Sequence, residues 1–263
     1  MQMTQEDLDA LQSARRILEH PGLAAKITNV IGKPVEKGMD LLPVRWSEAI
    51  NDVTRKALEA ALNSALATLG KTSQPRSSNL WHKMAVTATG AGGGAFGLAA
   101  LAVELPISTT IMLRSIADIA RSENEDLRSP ATKIACLEVF ALGGRSPKDD
   151  AADTGYFAVR AALAKTISEA AEYIAERGLA MEGAPVLIRL ISQIASRFGV
   201  AVSEKAAAQA IPAIGAVGGA LINLVFIDHF QDMARGHFTV RRLERVYTPE
   251  AVRSAYLAME QHT

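Results

Sequence analysis

The stretch that decides the fold reads TGAGGGAFGLAALAVELPIS and runs from Thr89 to Ser108. It carries no charge before Glu104 and has the length of a helix that spans a bilayer. Three interpretations compete for it: a phosphate-binding loop, a membrane helix and a buried helix of a soluble bundle. Its glycines and the residues that accompany them separate the three.

The phosphate-loop interpretation lacks the side chains that its chemistry requires. A Walker loop ends in Gly-Lys followed by Ser or Thr, because the lysine and the hydroxyl contact the phosphates and Mg²⁺. No lysine lies beside the glycines at 92–94 or at 97, and no strand is predicted before them. The dinucleotide fingerprint also needs a strand, a turn and a helix in that order. The sequence therefore argues against a nucleotide-binding loop.

A membrane helix fits the length of this stretch better than its composition. Insertion into lipid depends on Leu, Ile, Phe and Val, and few of these residues lie between Ala85 and Val103. A second apolar segment, Ala206 to Ile227, ends in a more hydrophobic run but includes a glutamine, a proline and an asparagine. Each segment is marginal alone. As a pair they form either a hairpin buried in protein or a hairpin in contact with lipid, and both interpretations stay open.

Glycines four residues apart predict close helix packing. The pairs are Gly90 and Gly94, Gly93 and Gly97, and Gly215 and Gly219. This spacing leaves bare backbone on one helix face, so that a second helix approaches closely. Because each glycine costs a helix about 1 kcal/mol relative to alanine, a compensating contact is expected. We expect the seam to lie at Gly93–Gly97 and Gly215–Gly219.

Helical periodicity dominates the rest of the chain. Apolar residues recur every three or four positions in a long helix predicted from Val44 to Leu69, and a shorter one is predicted from Leu23 to Gly38. Pro106 is expected to break or kink the chain between two helices. The predicted fold class is all-α, a single compact bundle of roughly ten helices with two Gly/Ala-rich helices packed centrally. We divide the chain into an N-terminal helical arm, residues 1–42, and a helical domain, residues 43–263.

Composition excludes several classes of protein. Lys plus Arg and Asp plus Glu are equal at 28 each, so there is no global field for nucleic acid. The single cysteine, Cys136, excludes an internal disulfide framework and a cysteine-based metal cluster. We predict no cofactor. The polar N-terminus does not read as a signal peptide, which predicts a cytoplasmic location, either free or peripheral at the inner face of the cell membrane.

Six polar side chains are candidates for one internal cluster. A carboxylate at the end of a long uncharged run is costly unless it is paired, and a buried amide also seeks partners. The cluster either holds helices in register or forms a functional site with shifted pKa values, and we favour the structural role. The candidates are Glu104, Arg114, Asp118, Tyr156, Arg160 and Asn223.

The segment FIDHFQDMARGHF offers candidates for metal binding or for acid/base chemistry. Residues one helical turn apart share a face, which brings a carboxylate and an imidazole together. The spacing matches no strong metal signature, so we predict no metal, and the alternative is a surface ion pair beside a packed histidine. The candidates are Asp228, His229, Asp232 and His237.

A basic, apolar-sided helix near the C-terminus is a candidate lipid surface. Basic side chains near anionic lipid contribute about 1 kcal/mol each to binding. The alternative is a solvated helix that docks on the bundle. The candidate lipid-contacting residues are Arg241, Arg242 and Arg245.

Three stretches together resemble the EcsC protein family. They are TGAGGGAFGLAALAVELPISTTIMLRSIADIARSENEDL, GGRSPKDDAADTGYFAVRAALAK and AIPAIGAVGGALINLVFIDHFQDMARGHFTVRRLERVY, and the resemblance runs from Val44 to Tyr247. The markers include the glycine-rich turn into ELP and the Tyr156-to-Arg160 spacing. The resemblance implies a helical, bacterial protein that is linked by name to an ABC-transporter operon. It implies no catalytic residues.

Two functions from different classes follow. The first is a membrane-associated or lipid-contacting accessory protein without catalysis, whose partner is a membrane surface or a membrane protein, in ABC transport or envelope processes. The second is a helical hydrolase or metal-dependent enzyme that uses Asp228, His229, Asp232 and His237. We favour the first, because it rests on two apolar segments, a basic tail and the family resemblance.

Overall fold

The computed structural model describes residues 3–19, 22–32, 34–42, 46–68, 97–144, 155–177, 184–211 and 215–259. Within these ranges the chain forms ten helices and no strand, so the all-α prediction is confirmed. The helices are α1 (Gln5–Glu19), α2 (Leu23–Ile31), α3 (Glu36–Met39), α4 (Trp46–Thr68), α5 (Gly97–Ser122), α6 (Pro130–Leu142), α7 (Tyr156–Arg177), α8 (Pro185–Ala210), α9 (Gly215–Val246) and α10 (Pro249–Ala258).

Two predicted boundaries are wrong. Helix α5 continues through Pro106, where a break or a kink between two helices was expected, so the break is wrong and the kink stays a prediction. A proline inside a helix costs about 3 kcal/mol, and burial on both sides of Pro106, at Leu105 and Ser108, offsets that cost. The predicted helix from Leu23 to Gly38 is two helices, because Gly32 ends α2 in the left-handed conformation that glycine adopts without strain.

The second apolar segment, Ala206 to Ile227, is not one helix. Helix α8 ends at Ala210 and α9 begins at Gly215. Ile211 is extended, with ψ at 115°. The residue before a proline is driven out of the helical region, and Pro212 follows. The segment therefore contributes the end of one helix and the start of the next.

Helices α8 and α9 form the centre of the bundle. Helix α8 contacts α2 to α7 and also α9, and α9 contacts α1, α2, α5, α6 and α10. Four phenylalanine rings join α6, α8 and α9, with centroid separations from 4.8 to 6.1 Å. They are Phe140, Phe198, Phe226 and Phe230, and all four are fully buried. Edge and tilted ring contacts of this kind add to the stabilisation from apolar burial.

The N-terminal helix packs on α9. Leu11, Ala14 and Leu18 of α1 are buried and belong to the same core as the central helices. The Thr4 hydroxyl oxygen accepts a hydrogen bond from the backbone N–H of Asp7. The backbone N–H of Thr4 donates to the hydroxyl of Tyr247, which follows the end of α9. The boundary of the predicted arm at residue 42 stays a prediction.

The predicted glycine seam has no contact at Gly219 among the described residues. Helices α5 and α9 do pack together, but a Cβ at Gly219 would meet none of the described atoms within 4 Å. Gly93 lies outside the described residues. The close approach in α9 is instead at Gly236, where a Cβ would lie 2.7 Å from Leu18 Cγ of α1. Bare backbone is thus needed where α1 crosses α9.

Substituting alanine for Gly219 and for Gly236 of α9 separates the effect of helix propensity from the effect of the contact with α1. Gly219→Ala is expected to raise the free energy of unfolding by up to about 1 kcal/mol, because it gains helix propensity in open space. Gly236→Ala has the same gain but must displace Leu18, so we expect a net loss of about 1–2 kcal/mol. Chemical denaturation measures both. Equal effects from the two substitutions would contradict the assignment of the α1–α9 crossing.

Candidate functional site

The six residues predicted for one polar cluster do not form a single cluster. Glu104 of α5 accepts a 2.6 Å hydrogen bond from Lys205 Nζ of α8. Arg114 is exposed, and Asp118 pairs with Arg121 on the surface of α5 at 2.9 Å. Helix α5 therefore directs its carboxylates to different neighbours.

Tyr156 and Arg160 do share a site on α7. The Tyr156 hydroxyl lies 2.9 Å from His237 Nδ1 of α9. Arg160 donates to both carboxylate oxygens of Glu244, at 2.6 and 3.0 Å. The Arg160 guanidinium also lies 5.3 Å from the centre of the Tyr156 ring. Two of the six predicted residues thus meet, and their partners come from α9.

Asn223 lies on the apolar first half of α9. Its side chain is buried, and none of the described residues donates a hydrogen bond to its Oδ1. A buried amide oxygen without a partner costs about 1–3 kcal/mol. Among the described residues, Asn223 therefore has no partner that would join it to the predicted polar cluster.

The predicted acid/base residues also point in different directions. Asp228 is exposed, and Asp232 pairs with Lys26 and Arg235, both at 2.8 Å. His229 Nε2 donates to the Gly143 carbonyl at 2.8 Å, and His237 contacts Tyr156. Over the part of the chain that the structure describes, no three potential metal ligands come together.

The three arginines predicted to contact lipid form ion pairs within the bundle. Arg241 Nε and Arg242 Nε lie 2.8 Å from Glu125 and Glu123, which follow the end of α5. Arg245 pairs with Glu125 as well. Although burial alone would raise it, the hydrogen bond from Arg241 and the two nearby guanidinium charges hold the pKa of Glu125 below its usual value. These side chains join α9 to α5 and α6.

A buried polar line that the sequence analysis missed crosses α6, α7 and α9. His237 Nε2 lies 3.7 Å from Glu138 Oε2, on the side of the ring away from Tyr156. Burial raises the pKa of Glu138 to about 7, in spite of the Arg160 and Arg241 charges. Burial and the same two charges hold the pKa of His237 well below its usual value.

Two residues that matter most were not singled out from the sequence. Glu138 stands in ACLEVFAL as a lone charge among apolar residues, and Lys205 stands in SEKAAAQA, where Glu204 precedes it and small residues follow. Burying a charged side chain without a partner costs free energy, and this cost was the feature of the sequence that could have identified the two residues. Their partners, however, lie on other helices and do not follow from spacing along the chain.

Helices α3, α5 and α9 all contact α8 at one level along its axis, near residues 205–207. At residues 205–207 of α8, Lys205 reaches Glu104 of α5 and lies 4.9 Å from the Phe226 ring centre of α9. Gly38 of α3 contacts the Ala207 carbonyl so closely that a Cβ would lie 2.0 Å from its oxygen. Three separate elements therefore meet α8 at this level.

Exposed apolar side chains concentrate at this level. Ten large hydrophobic side chains are exposed within the described residues, and six of them lie within two turns of these contacts. We call these six the apolar rim: Met39, Leu41, Val103, Ile107, Leu221 and Leu224. Isolated exposed apolar residues are ordinary, whereas a concentration of them marks an interaction site.

The helices that carry the rim hold little charge there. Residues 97–113 of α5, 205–211 of α8 and 215–227 of α9 contain two charged side chains, Glu104 and Lys205, and these pair with each other. Lys205 is 1% exposed and Glu104 is 14% exposed. The α3 segment adds charges at Glu36, Lys37 and Asp40. Glu204 precedes Lys205 on α8, and burial raises the pKa of its carboxyl to about 7. The rim therefore surrounds the paired Glu104 and Lys205, with further ionisable groups at Glu204 and in the α3 segment.

Helix α8 is also the one described helix that is long and apolar enough to cross a membrane. It runs from Pro185 to Ala210, and half of its most apolar window is buried inside the bundle. Core helices of soluble proteins share these properties, so length and composition alone assign it no membrane role.

The comparison with known families agrees with this architecture. The EcsC protein family matches the chain over residues 5–243, nearly its whole length. The chain belongs to the EcsC family. The predicted resemblance is confirmed, and the match begins in α1, within the predicted arm. No curated protein and no solved structure matches this EcsC protein.

Glu125→Gln tests the ion pairs between α5 and α9. It keeps the side-chain size but removes the charge that Arg241 and Arg245 face, so the free energy of unfolding at pH 7 should fall by about 2 kcal/mol. Because the folded-state pKa of Glu125 is lowered, its contribution is present above the usual glutamate pKa and is lost as pH falls through the lowered value. The difference from wild type should therefore shrink in acid.

Asp126→Asn is the matched control, measured by the same denaturation series. Asp126 pairs with Arg128 at the surface, where ion pairs contribute little. If Glu125→Gln is as mild as Asp126→Asn at pH 7, the pairs between α5 and α9 do not stabilise the bundle.

Proposed function

We propose that this EcsC protein is a membrane-associated accessory protein whose apolar rim contacts the lipid of the inner face of the cell membrane. The observation that carries the proposal is the concentration of six exposed apolar side chains at one level of the bundle. No catalytic step is part of it, and a role beside a transporter or in the envelope is consistent with the family's name.

The distribution of the rim favours lipid over a groove-binding partner. Its members come from α3, α5 and α9, which meet α8 at one level. A partner helix in a groove contacts one strip of surface, whereas a bilayer contacts every side of a bundle end that enters it. The rim therefore suits shallow insertion of this end, with the α3 charges among the lipid headgroups.

The buried ion pair supports the same proposal. An unpaired charge next to the hydrocarbon layer is costly, and Lys205 and Glu104 neutralise each other. Burial raises the pKa of the neighbouring Glu204 to about 7, which favours its neutral form. By contrast, the arginines near the end of α9 are engaged with Glu123 and Glu125. We accordingly place the lipid contact at the rim and expect weak dependence of binding on salt and on anionic lipid.

Flotation with phosphatidylcholine vesicles, with and without phosphatidylglycerol, tests the proposal. Wild-type protein should float with both kinds of vesicle, at low and high salt. Val103→Glu and Leu224→Glu should each lower the vesicle partition constant by about thirtyfold, because a carboxylate at the hydrocarbon boundary costs on the order of 2 kcal/mol. Circular dichroism checks that each variant keeps its helices.

Ile188→Glu and Leu257→Glu are the matched controls. Both positions are exposed apolar residues away from the rim, at 52% and 45% exposure against 43% for Leu224. They should float like wild type. Wild-type protein that stays at the bottom with both vesicles contradicts the proposal. So does equal loss in rim and control variants, and so does binding that high salt abolishes.

A further inference from the structure

Three titratable side chains form a line through the core where α6, α7 and α9 meet. The Tyr156 hydroxyl is 2.9 Å from His237 Nδ1, and His237 Nε2 is 3.7 Å from Glu138 Oε2. The exposed fractions of Tyr156, His237 and Glu138 are 4%, 0% and 4%. None of the described residues forms a hydrogen bond with His237 Nε2 at this separation. The line is thus buried, and the His237–Glu138 distance is longer than a hydrogen bond.

The line has two proton arrangements that differ by one proton. With Glu138 ionised, the imidazole carries its proton on Nε2, facing the carboxylate, and Nδ1 accepts from the Tyr156 hydroxyl. With Glu138 protonated, its O–H faces a bare Nε2, and Nδ1–H donates to the Tyr156 oxygen. Uptake of one proton from water by the carboxylate therefore shifts the imidazole tautomer and reverses the hydrogen bond to Tyr156.

Charged groups on α7 and α9, two of the helices that contact α6, act on this line. Arg160 of α7 and Arg241 of α9 favour an ionised Glu138, while Glu244 of α9 opposes it. Burial is the largest influence and raises the pKa of Glu138 to about 7. Burial, with Arg160 and Arg241, keeps the imidazole neutral at the same pH. The proton that is exchanged near neutrality therefore belongs to Glu138.

Tyr156 connects the titration of Glu138 to the packing of α7. It is the first residue of α7, and its backbone N–H donates to Glu19 Oε1 of α1 at 3.2 Å. The same oxygen accepts from the Tyr256 hydroxyl of α10 at 2.8 Å. A carboxylate at a helix N-terminus is favourable. The first turn of α7 is thus tied to α1 through the backbone of Tyr156 and to α9 through its hydroxyl.

We propose that Glu138, His237 and Tyr156 form a proton-operated latch, which holds the first turn of α7 against α6 and α9 while Glu138 is protonated and loosens when Glu138 ionises. An ionised carboxylate gains water when the turn opens, whereas a neutral one gains little. The sign follows from the raised pKa: the stabilisation is complete below the usual glutamate pKa and is lost as pH rises to about 7.

Hydrogen–deuterium exchange between pH 6 and 8.5, corrected for the intrinsic pH dependence, tests the latch. In wild-type protein the amides of the first α7 turn should lose about three- to tenfold protection across this range, more than amides in the middle of α8. Glu138→Gln should remove this pH dependence, because a glutamine side chain does not ionise between pH 6 and 8.5.

Glu204→Gln is the matched control. Burial also raises the pKa of Glu204 to about 7, but Glu204 lies on α8 and its neighbours are Ala24 and Glu36. It should leave the pH dependence at the first α7 turn intact. The latch is wrong if wild-type protection there does not change with pH, if Glu138→Gln keeps the change, or if Glu204→Gln removes it.

The imidazole tautomer provides a second test that needs no variant. Nitrogen-15 NMR of the histidine side chains distinguishes a proton on Nδ1 from one on Nε2. His237 should change from the Nδ1–H to the Nε2–H form between pH 6 and 8.5 while it stays neutral. A single tautomer over the whole range would overturn the proposal, whether or not Glu138→Gln folds.

Discussion

The ion pair between Lys205 and Glu104 sets the character of one end of this bundle. Lys205 lies on the central helix α8 and is almost fully buried, so its charge requires a partner. Glu104 supplies that partner from the middle of an apolar stretch of α5. Besides this pair, the ionisable group in residues 97–113, 204–211 and 215–227 is Glu204, and burial raises the pKa of its carboxyl to about 7. The apolar rim is compatible with folding because its interior is balanced in this way.

The opposite half of the bundle is held by charges. Arg241, Arg242 and Arg245 join the end of α9 to Glu123 and Glu125, and Arg242 also reaches Asp7 of α1. Hydrogen bonds from Tyr247 and Thr4 hold the pKa of Asp7 below its usual value. The molecule is therefore polarised along α9: apolar near its start and closely ion-paired near its end. The apolar rim and the ion-paired residues thus lie near opposite ends of α9.

Sequence reasoning recovered the helices because their apolar periodicity is local. It did not find the partners of Arg241, Arg242 and Arg245, because these partners precede them by 116 to 120 residues. It did not single out Gly236 for a similar reason: spacing marks Gly219 and Gly236 alike as small residues, whereas the contact with Leu18 exists at Gly236 alone of the two. Lys205, Glu138 and their partners are products of helix arrangement. Spacing along one helix does not encode which residues of another helix lie opposite.

Collision accessibility of a spin label at the rim tests the central claim most directly. Cys136 is buried, and burial raises the pKa of its thiol to about 12, so a label attaches selectively to an introduced cysteine. With Leu224→Cys, adding vesicles should raise accessibility to oxygen and lower it to a water-soluble nickel complex, whereas a label at Leu257→Cys should be unaffected. Unchanged accessibility at residue 224 with vesicles present would contradict a lipid-contacting apolar rim.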